Sequence, residues 1–249
     1  MAMHKLRFTY DQLMLMTSAL EEFFRLRMGQ DYSLSEELGA AGLDIYGPGH
    51  EACFQKYLDR RSVLKEIMKG FFQIAFDGPY CPGKTEDMLV AMDIWDAVRV
   101  YTEMSRWNSP MQESSEPLPE IKGSRGCGCN IIFTDRQLAV TFRALEEYFM
   151  LRIWNGHILV EDMSAFKTGP GTEPSALRQK KKDMARVLDI YFHIAGSELE
   201  GQVPCYKTEK MRSALGMWKS ICEYIGIEQA WIAYEMAADG IQIEKYKEY

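Results

Sequence analysis

The sequence predicts an all-α protein: an internal tandem duplication of a three-helix unit, assembled as a pseudo-two-fold helical bundle. Three observations predict it. Blocks of the first half recur in order in the second. Apolar residues recur at helical spacing after recognisable caps. No segment alternates convincingly in the manner of a half-buried strand, although "CNIIF" and the tail "IQIEKY" are short runs that could be extended.

The first helix opens both halves. Phe8–Arg27 aligns with Phe133–Arg152 at an offset of 125, and 11 of the 20 positions are identical. Thr9 with Gln12, and Thr134 with Gln137, have the spacing of a capping box. In that device the hydroxyl takes an orphan amide of the first turn and the glutamine takes the amide of the cap. Phe8 and Leu13, like Phe133 and Leu138, stand at the staple positions that flank such a cap. The spacing therefore predicts helices from Thr9 and Thr134 to about Arg27 and Arg152.

The long second helix is expected to begin near Glu51 and Glu173, after "GPGHE" and "GPGTE". Proline and glycine stop what precedes, and an acid in the first turn suits the helix dipole. It runs to about Phe76 and Ala195, where "FFQIA" answers "YFHIA". The third helix starts after Thr85 or Thr208, with Met88, Ala91, Trp95 and Val98 on one face and Met211, Ala214, Trp218 and Ile221 on the matching face. A last helix is expected over about 227–238. The repeats are placed at 1–105 and 133–249, separated by a Pro/Gly/Ser-rich linker over 106–132.

Composition narrows the function. With 249 residues, 47% hydrophobic and 26% charged, the chain can bury a sizeable core and is not a disordered polymer. A net charge of -7 argues against broad nucleic-acid binding, which needs a basic surface. The start of the chain lacks an export signal and no window is apolar enough to span a bilayer, so a cytoplasmic protein without membrane contact is expected, its six cysteines reduced. The 16 methionines predict a Met-rich core or a pliable contact surface.

Four groups of residues are candidates for chemistry. Glu21, Glu22, Asp93 and Asp96 could hold magnesium against nucleotide phosphates, as in helical nucleotide pyrophosphohydrolases; neither half of that family's acidic motif is matched cleanly. The alternative for Glu21/Glu22 and Glu146/Glu147 is a solvated polar face. Cys81, Cys127, Cys129 and Cys205 are the zinc candidates, but they form no C-x-x-C pair, and free thiols are the alternative. His50 and Cys53 add an H-x-x-C at a helix start. The run "RQKKKDMAR" supplies Arg178, Lys180, Lys181, Lys182 and Arg186 as a binding surface for phosphate or an acidic protein, or else a solvated face. Neither "GPG" sits in a phosphate-loop frame, and Trp95 and Trp218 belong to apolar stripes as core anchors.

"ALEEFFRLRMGQ" and "RALEEYFMLR" resemble a group of small helical proteins from phages and mobile elements of Gram-positive gut bacteria. The resemblance covers the first helix of each repeat. It implies an accessory protein that acts by binding, one form being interference with a host system, and it carries over no catalytic residue. The expectation is a non-enzymatic protein-binding protein with no cofactor and another protein as partner, with homo-oligomers allowed. The alternatives are a magnesium-dependent nucleotide hydrolase and a nucleic-acid binder acting through 178–186.

Overall fold

The computed structural model describes residues 2–47, 50–77, 85–102, 115–123, 128–166, 173–196, 209–227 and 242–245. Among these, the elements run β1 (Met3–Phe8), α1 (Tyr10–Arg27), α2 (Tyr32–Gly39), α3 (His50–Ala75), α4 (Glu86–Tyr101), β2 (Glu120–Gly123), β3 (Cys129–Thr134), α5 (Asp135–Arg152), α6 (His157–Ser164), α7 (Pro174–Gly196), α8 (Glu209–Ile225) and β4 (Gln242–Lys245). The described residues are mostly helical, as expected, and four short strands form one sheet; β3 and β4 fall on the runs "CNIIF" and "IQIEKY", whereas β1 and β2 were not expected. The order strand, helix, helix, helix, helix occurs from β1 to α4 and again from β3 to α8. No helix among the described residues is long and apolar enough to cross a membrane.

Two compact units emerge, and each takes segments from both halves of the sequence. Unit 1 holds Met1–Phe24, Lys84–Phe149 and Lys207–Tyr249; unit 2 holds Arg25–Gly83 and Met150–Tyr206. The expected boundaries 1–105, 106–132 and 133–249 follow the order of the chain, whereas the units follow spatial compactness and cut across them. The segment 106–132 is more than a connector, since β2 and the start of β3 lie inside it. The helix expected over 227–238 and the cap Thr208 fall outside the described residues apart from Ile227.

In unit 1 the sheet has the order β2-β3-β1-β4, antiparallel at every pairing. Leu6 faces Ile131 in the β1–β3 register, and these are matched positions at the same offset of 125. The pairing is therefore self-complementary, as an isologous contact requires. Both side chains are fully buried. Phe8 and Phe133, also matched, meet edge to face at 6.3 Å. Helix-matched aromatic pairs repeat too: Phe24 on Trp95 at 5.4 Å, and Phe149 on Trp218 at 5.1 Å. β1 escapes sequence reading because only Leu6 and Phe8 of its six residues alternate inward.

Both capping boxes form. Thr9 N donates to Gln12 Oε1 at 2.9 Å and Gln12 N to Thr9 Oγ1 at 3.2 Å; the bonds of Thr134 and Gln137 have the same two lengths. Thr134 is buried and its hydroxyl also donates to Glu116 at 2.7 Å, whereas Thr9 is exposed. Thr134→Ala is expected to cost about 1–2 kcal/mol and Thr9→Ala about half that, read as shifts in urea midpoint. Equal losses would contradict the extra bond.

In unit 2, α3 packs on α7, with α2 on α3 and α6 on α7. Lys180, near the start of α7, bonds Asp77 just past the end of α3 at 3.1 Å, so the two long helices run antiparallel. Their buried residues correspond: Leu64, Met68, Phe71, Phe72 and Ala75 on α3; Met184, Leu188, Tyr191, Phe192 and Ala195 on α7. The same cluster takes Leu26, Leu34 and Leu38 from the first half, and Leu151, Leu159 and Met163 from matched places in the second.

Sequence reading missed α2 and α6, so each recurring stretch carries four helices rather than three. Eight residues are too few to display a helical period, and neither N-cap, Asp31 nor Gly156, makes a side-chain capping bond. The turns before them are also alike. Gln30 N reaches Arg25 O at 2.8 Å and Gly29 N reaches Leu26 O at 2.9 Å, the bond pattern of a Schellman motif. Asn155 and Trp154 repeat it on Met150 and Leu151. Gly29 has φ 71° there and Trp154 has φ 59°, so the second turn holds a bulky residue in a left-handed conformation. Its ring lies so close to Gly196 that a Cβ there would sit 2.3 Å from Trp154 Cη2.

Candidate functional site

One concavity among the described residues belongs to unit 1. It is an apolar groove of about 360 Å³ lined by Leu138, Ala139, Phe142 and Arg143 of α5, Ile221 and Ile225 of α8, Ile227, His4 and Asp135. On α5 these positions fall at i, i+3, i+4, i+7 and i+8 from Asp135, one face of the helix. Leu138 and Ile221 are buried and form the floor; Ile225 and Ile227 are each 43% exposed and form an open wall. Phe142 is held by stacking on Trp218, with ring centroids 5.6 Å apart.

Polar groups mark one end. His4 Nε2 contacts Asp135 Oδ1 at 2.9 Å and His4 Nδ1 contacts Tyr224 Oη at 2.9 Å, with the two rings edge to face. Ala2 N donates to Asp135 Oδ2 at 3.0 Å. The bond from His4 holds the Asp135 carboxyl below the usual aspartate range, outweighing the slight desolvation that acts the other way. Asp87 accepts from Arg136 at 2.9 Å and meets Arg143, a residue of the groove lining, at 3.5 Å.

Apart from His4, the groove residues belong to the second half of the sequence. At matched positions in the first half stand Leu13, Met14, Thr17 and Ser18 on α1 and Tyr10 for Asp135, while the match of His4 is Cys129. Thr17 and Ser18 turn their hydroxyls back to Leu13 O and Met14 O. These divergences between matched positions were the available signal for the site. They are invisible to a search for shared residues.

The sequence candidates fare differently. Glu22 and Glu147 are 4% and 1% exposed, so the shared glutamates are not a solvated face. Glu21 and Glu146 beside them are half-buried, and burial raises the Glu146 carboxyl against the pull of Arg143. Asp93 and Asp96 are half-buried on α4. Among the described residues, no three His, Cys, Asp or Glu side chains group so as to hold a metal; Glu21, Glu22, Asp93 and Asp96 are thus not gathered into such a set.

Of the cysteines, Cys81, Cys127 and Cys205 lie outside the described residues. Cys129 is 1% exposed in β3, and burial pushes its thiol up to about 11. Because the folded value exceeds the ordinary 9.0, the protonated thiol's contribution to stability is fully present below about 9 and fades as pH rises towards 11. The native protein should accordingly leave Cys129 unalkylated by iodoacetamide at pH 8, with labelling only after denaturation; peptide mapping checks this. His50 is exposed and Cys53 half-buried at the start of α3.

The basic run divides. Lys180, with its side chain 10% exposed, donates to Phe166 O at 3.1 Å as well as to Asp77, and Lys181 pairs with Glu161. Arg178, Lys182 and Arg186 are exposed. The matched residue of Lys180 on α3 is Arg60, which donates to Ala41 O at 2.7 Å; Ala41 and Phe166 are themselves matched. The cation at that position serves the fold in both halves.

No protein-family model, curated protein or solved structure matches this chain.

Proposed function

We propose that this chain is a non-enzymatic protein-binding protein, derived by tandem duplication of one strand-and-helix unit, and that its groove receives an apolar helical segment of a partner protein. The observation that carries the binding reading is the groove itself. α5 and α8 present Phe142 and Ile225, and the residues just past α8 present Ile227, above a floor of Leu138 and Ile221. Its volume of about 360 Å³ suits a few large apolar side chains of a docked helix. Arg143 in its lining, which also meets Asp87, favours a partner helix that carries a carboxylate.

The duplication reading is supported by paired features of high specificity. The capping boxes match bond for bond. Leu6 faces its counterpart Ile131. Arg27 bonds Asp162 while Arg152 bonds Glu37, and each residue's counterpart sits in the other pair. A duplication followed by divergence on α5 and α8 leaves one half as scaffold and frees the other to acquire a site.

A photo-crosslinking residue at Ile227, introduced into the full chain in its native host, tests the groove. The expected result is a covalent adduct with one protein, lost in the Ile225→Asp variant and not formed from a control position at Lys69. Adducts indifferent to Ile225→Asp would refute the docking. Turnover of nucleoside triphosphates by purified protein with magnesium, abolished by Asp93→Asn, would replace the binding reading with a hydrolase.

A further inference from the structure

We propose that the outward row Arg178, Lys182, Arg186 and Ile190 of α7 is a docking surface for an acidic amphipathic helix of another protein. This rests on the protein-binding reading and names a partner chemistry for a second surface. The four residues lie at successive i+4 positions, about 6 Å apart along the helix. The three cations are exposed and Ile190 is 46% exposed at the end of their row. The buried residues of α7 begin at Met184, and neither Arg178 nor Lys182 is among them.

The molecule contains its own control. Helix α3 packs with the same buried positions, and at the places matching Arg178, Lys182 and Arg186 it carries Leu58, Ser62 and Glu66. The fold therefore does not require cations there. Lys180 shows the contrast, since its counterpart Arg60 keeps both the charge and the bond to a loop carbonyl. A row of three cations, unneeded by the fold in a chain of net charge -7, has the character of a recognition surface.

Carboxylates four residues apart on a partner helix would meet the row at its own spacing, and an apolar residue one turn on would cover Ile190. A nucleic acid fits less well. A chain of net charge -7 lacks the broad basic surface that nucleic-acid binding draws on, whereas a short row of cations suffices for a few carboxylates. Tyr191 and Phe192 of α7 are buried, which leaves the His193 imidazole as the one exposed ring of α7 for base stacking.

The test is fluorescence anisotropy of the full chain with a labelled, helix-stapled peptide bearing glutamates at every fourth position and a leucine one turn beyond. Binding is expected at low salt, weakening as salt rises. It should fall at least about tenfold in the Arg178→Glu/Lys182→Glu/Arg186→Glu variant and remain unchanged in Lys69→Glu. If the triple variant melts early, Lys182→Glu alone serves, with the same direction expected. Equal binding by the charge-reversed protein, equal binding of the glutamine version of the peptide, no peptide binding at all, or tighter binding of poly-uridine would each overturn the proposal. Such a failure alongside a successful crosslink at Ile227 sinks this surface alone and leaves the groove reading standing.

Discussion

Arg27→Met is expected to destabilise unit 2 by about 3 kcal/mol, the loss typical of breaking a buried ion pair by removing one partner. The Arg27 side chain is 3% exposed and bonds Asp162, whose side chain is 17% exposed. Removing the guanidinium takes this ion-pair partner from a carboxylate with little access to water. The matched pair gives an internal comparison. Arg152 is 5% exposed and grips Glu37 with both arms, Nε to Oε1 at 3.0 Å and Nη2 to Oε2 at 2.5 Å, but Glu37 is 41% exposed. A Glu37 that loses Arg152 can be rehydrated, so Arg152→Met should cost roughly half as much. Adding Asp162→Leu to Arg27→Met should recover most of the loss, because the carboxylate's charge goes too. Urea denaturation of the single and double variants measures all of this. A double variant less stable than Arg27→Met would show that the carboxylate is not the source of the cost.

The second large effect is expected at Trp218. It is 1% exposed, stacked on Phe142 and edge-on to Phe149. Trp218→Ala removes a ring with two aromatic neighbours and leaves a cavity, costing about 3–5 kcal/mol. The matched Trp95, also 1% exposed, meets Phe24 edge to face and carries the Arg99 guanidinium at 4.4 Å over its ring. Trp95→Ala should cost a similar amount, since its burial is the same. The two variants should part company in binding. Trp218 props the groove wall through Phe142, so Trp218→Phe, which keeps the fold, should weaken the Ile227 crosslink, while Trp95→Phe should leave it intact. Equal crosslinking by the two would detach the groove from its support.

Much of the helical layout was legible because it is written in local chemistry. Thr9, Thr85 and Thr134 cap where their spacing indicates, since a hydroxyl reaches the amides of its own first turn and no others. The apolar stripes of α3, α4, α7 and α8 likewise report a period that survives any tertiary arrangement. Of the sheet, only β3 and β4 showed as the short extended runs "CNIIF" and "IQIEKY"; β1 and β2 were not legible. β1 is six residues long, and what makes it a strand is the ladder from Met3 to Phe8 with residues of β3 more than a hundred positions away. Glu22 and Glu147 were misread as solvent-facing, because a carboxylate's burial depends on the surroundings its helix meets, which helical spacing cannot reveal. The site was hidden for a related reason: His4, Asp135 and Tyr224 are remote in sequence and carry no motif.

The sequence by itself determined where most helices start and stop, which faces are apolar, and which positions in the two halves correspond, because caps, periods and repeats are properties of neighbouring residues. Only the tertiary structure decided that Arg27 would answer Asp162 and Arg152 would answer Glu37, that four short strands would share one sheet, and that α5 and α8 would leave an open apolar trough where their counterparts do not carry the same residues. Those outcomes depend on the free energy of contacts between distant segments, set by burial and desolvation once the helices meet, and that is not encoded in any local stretch of the chain.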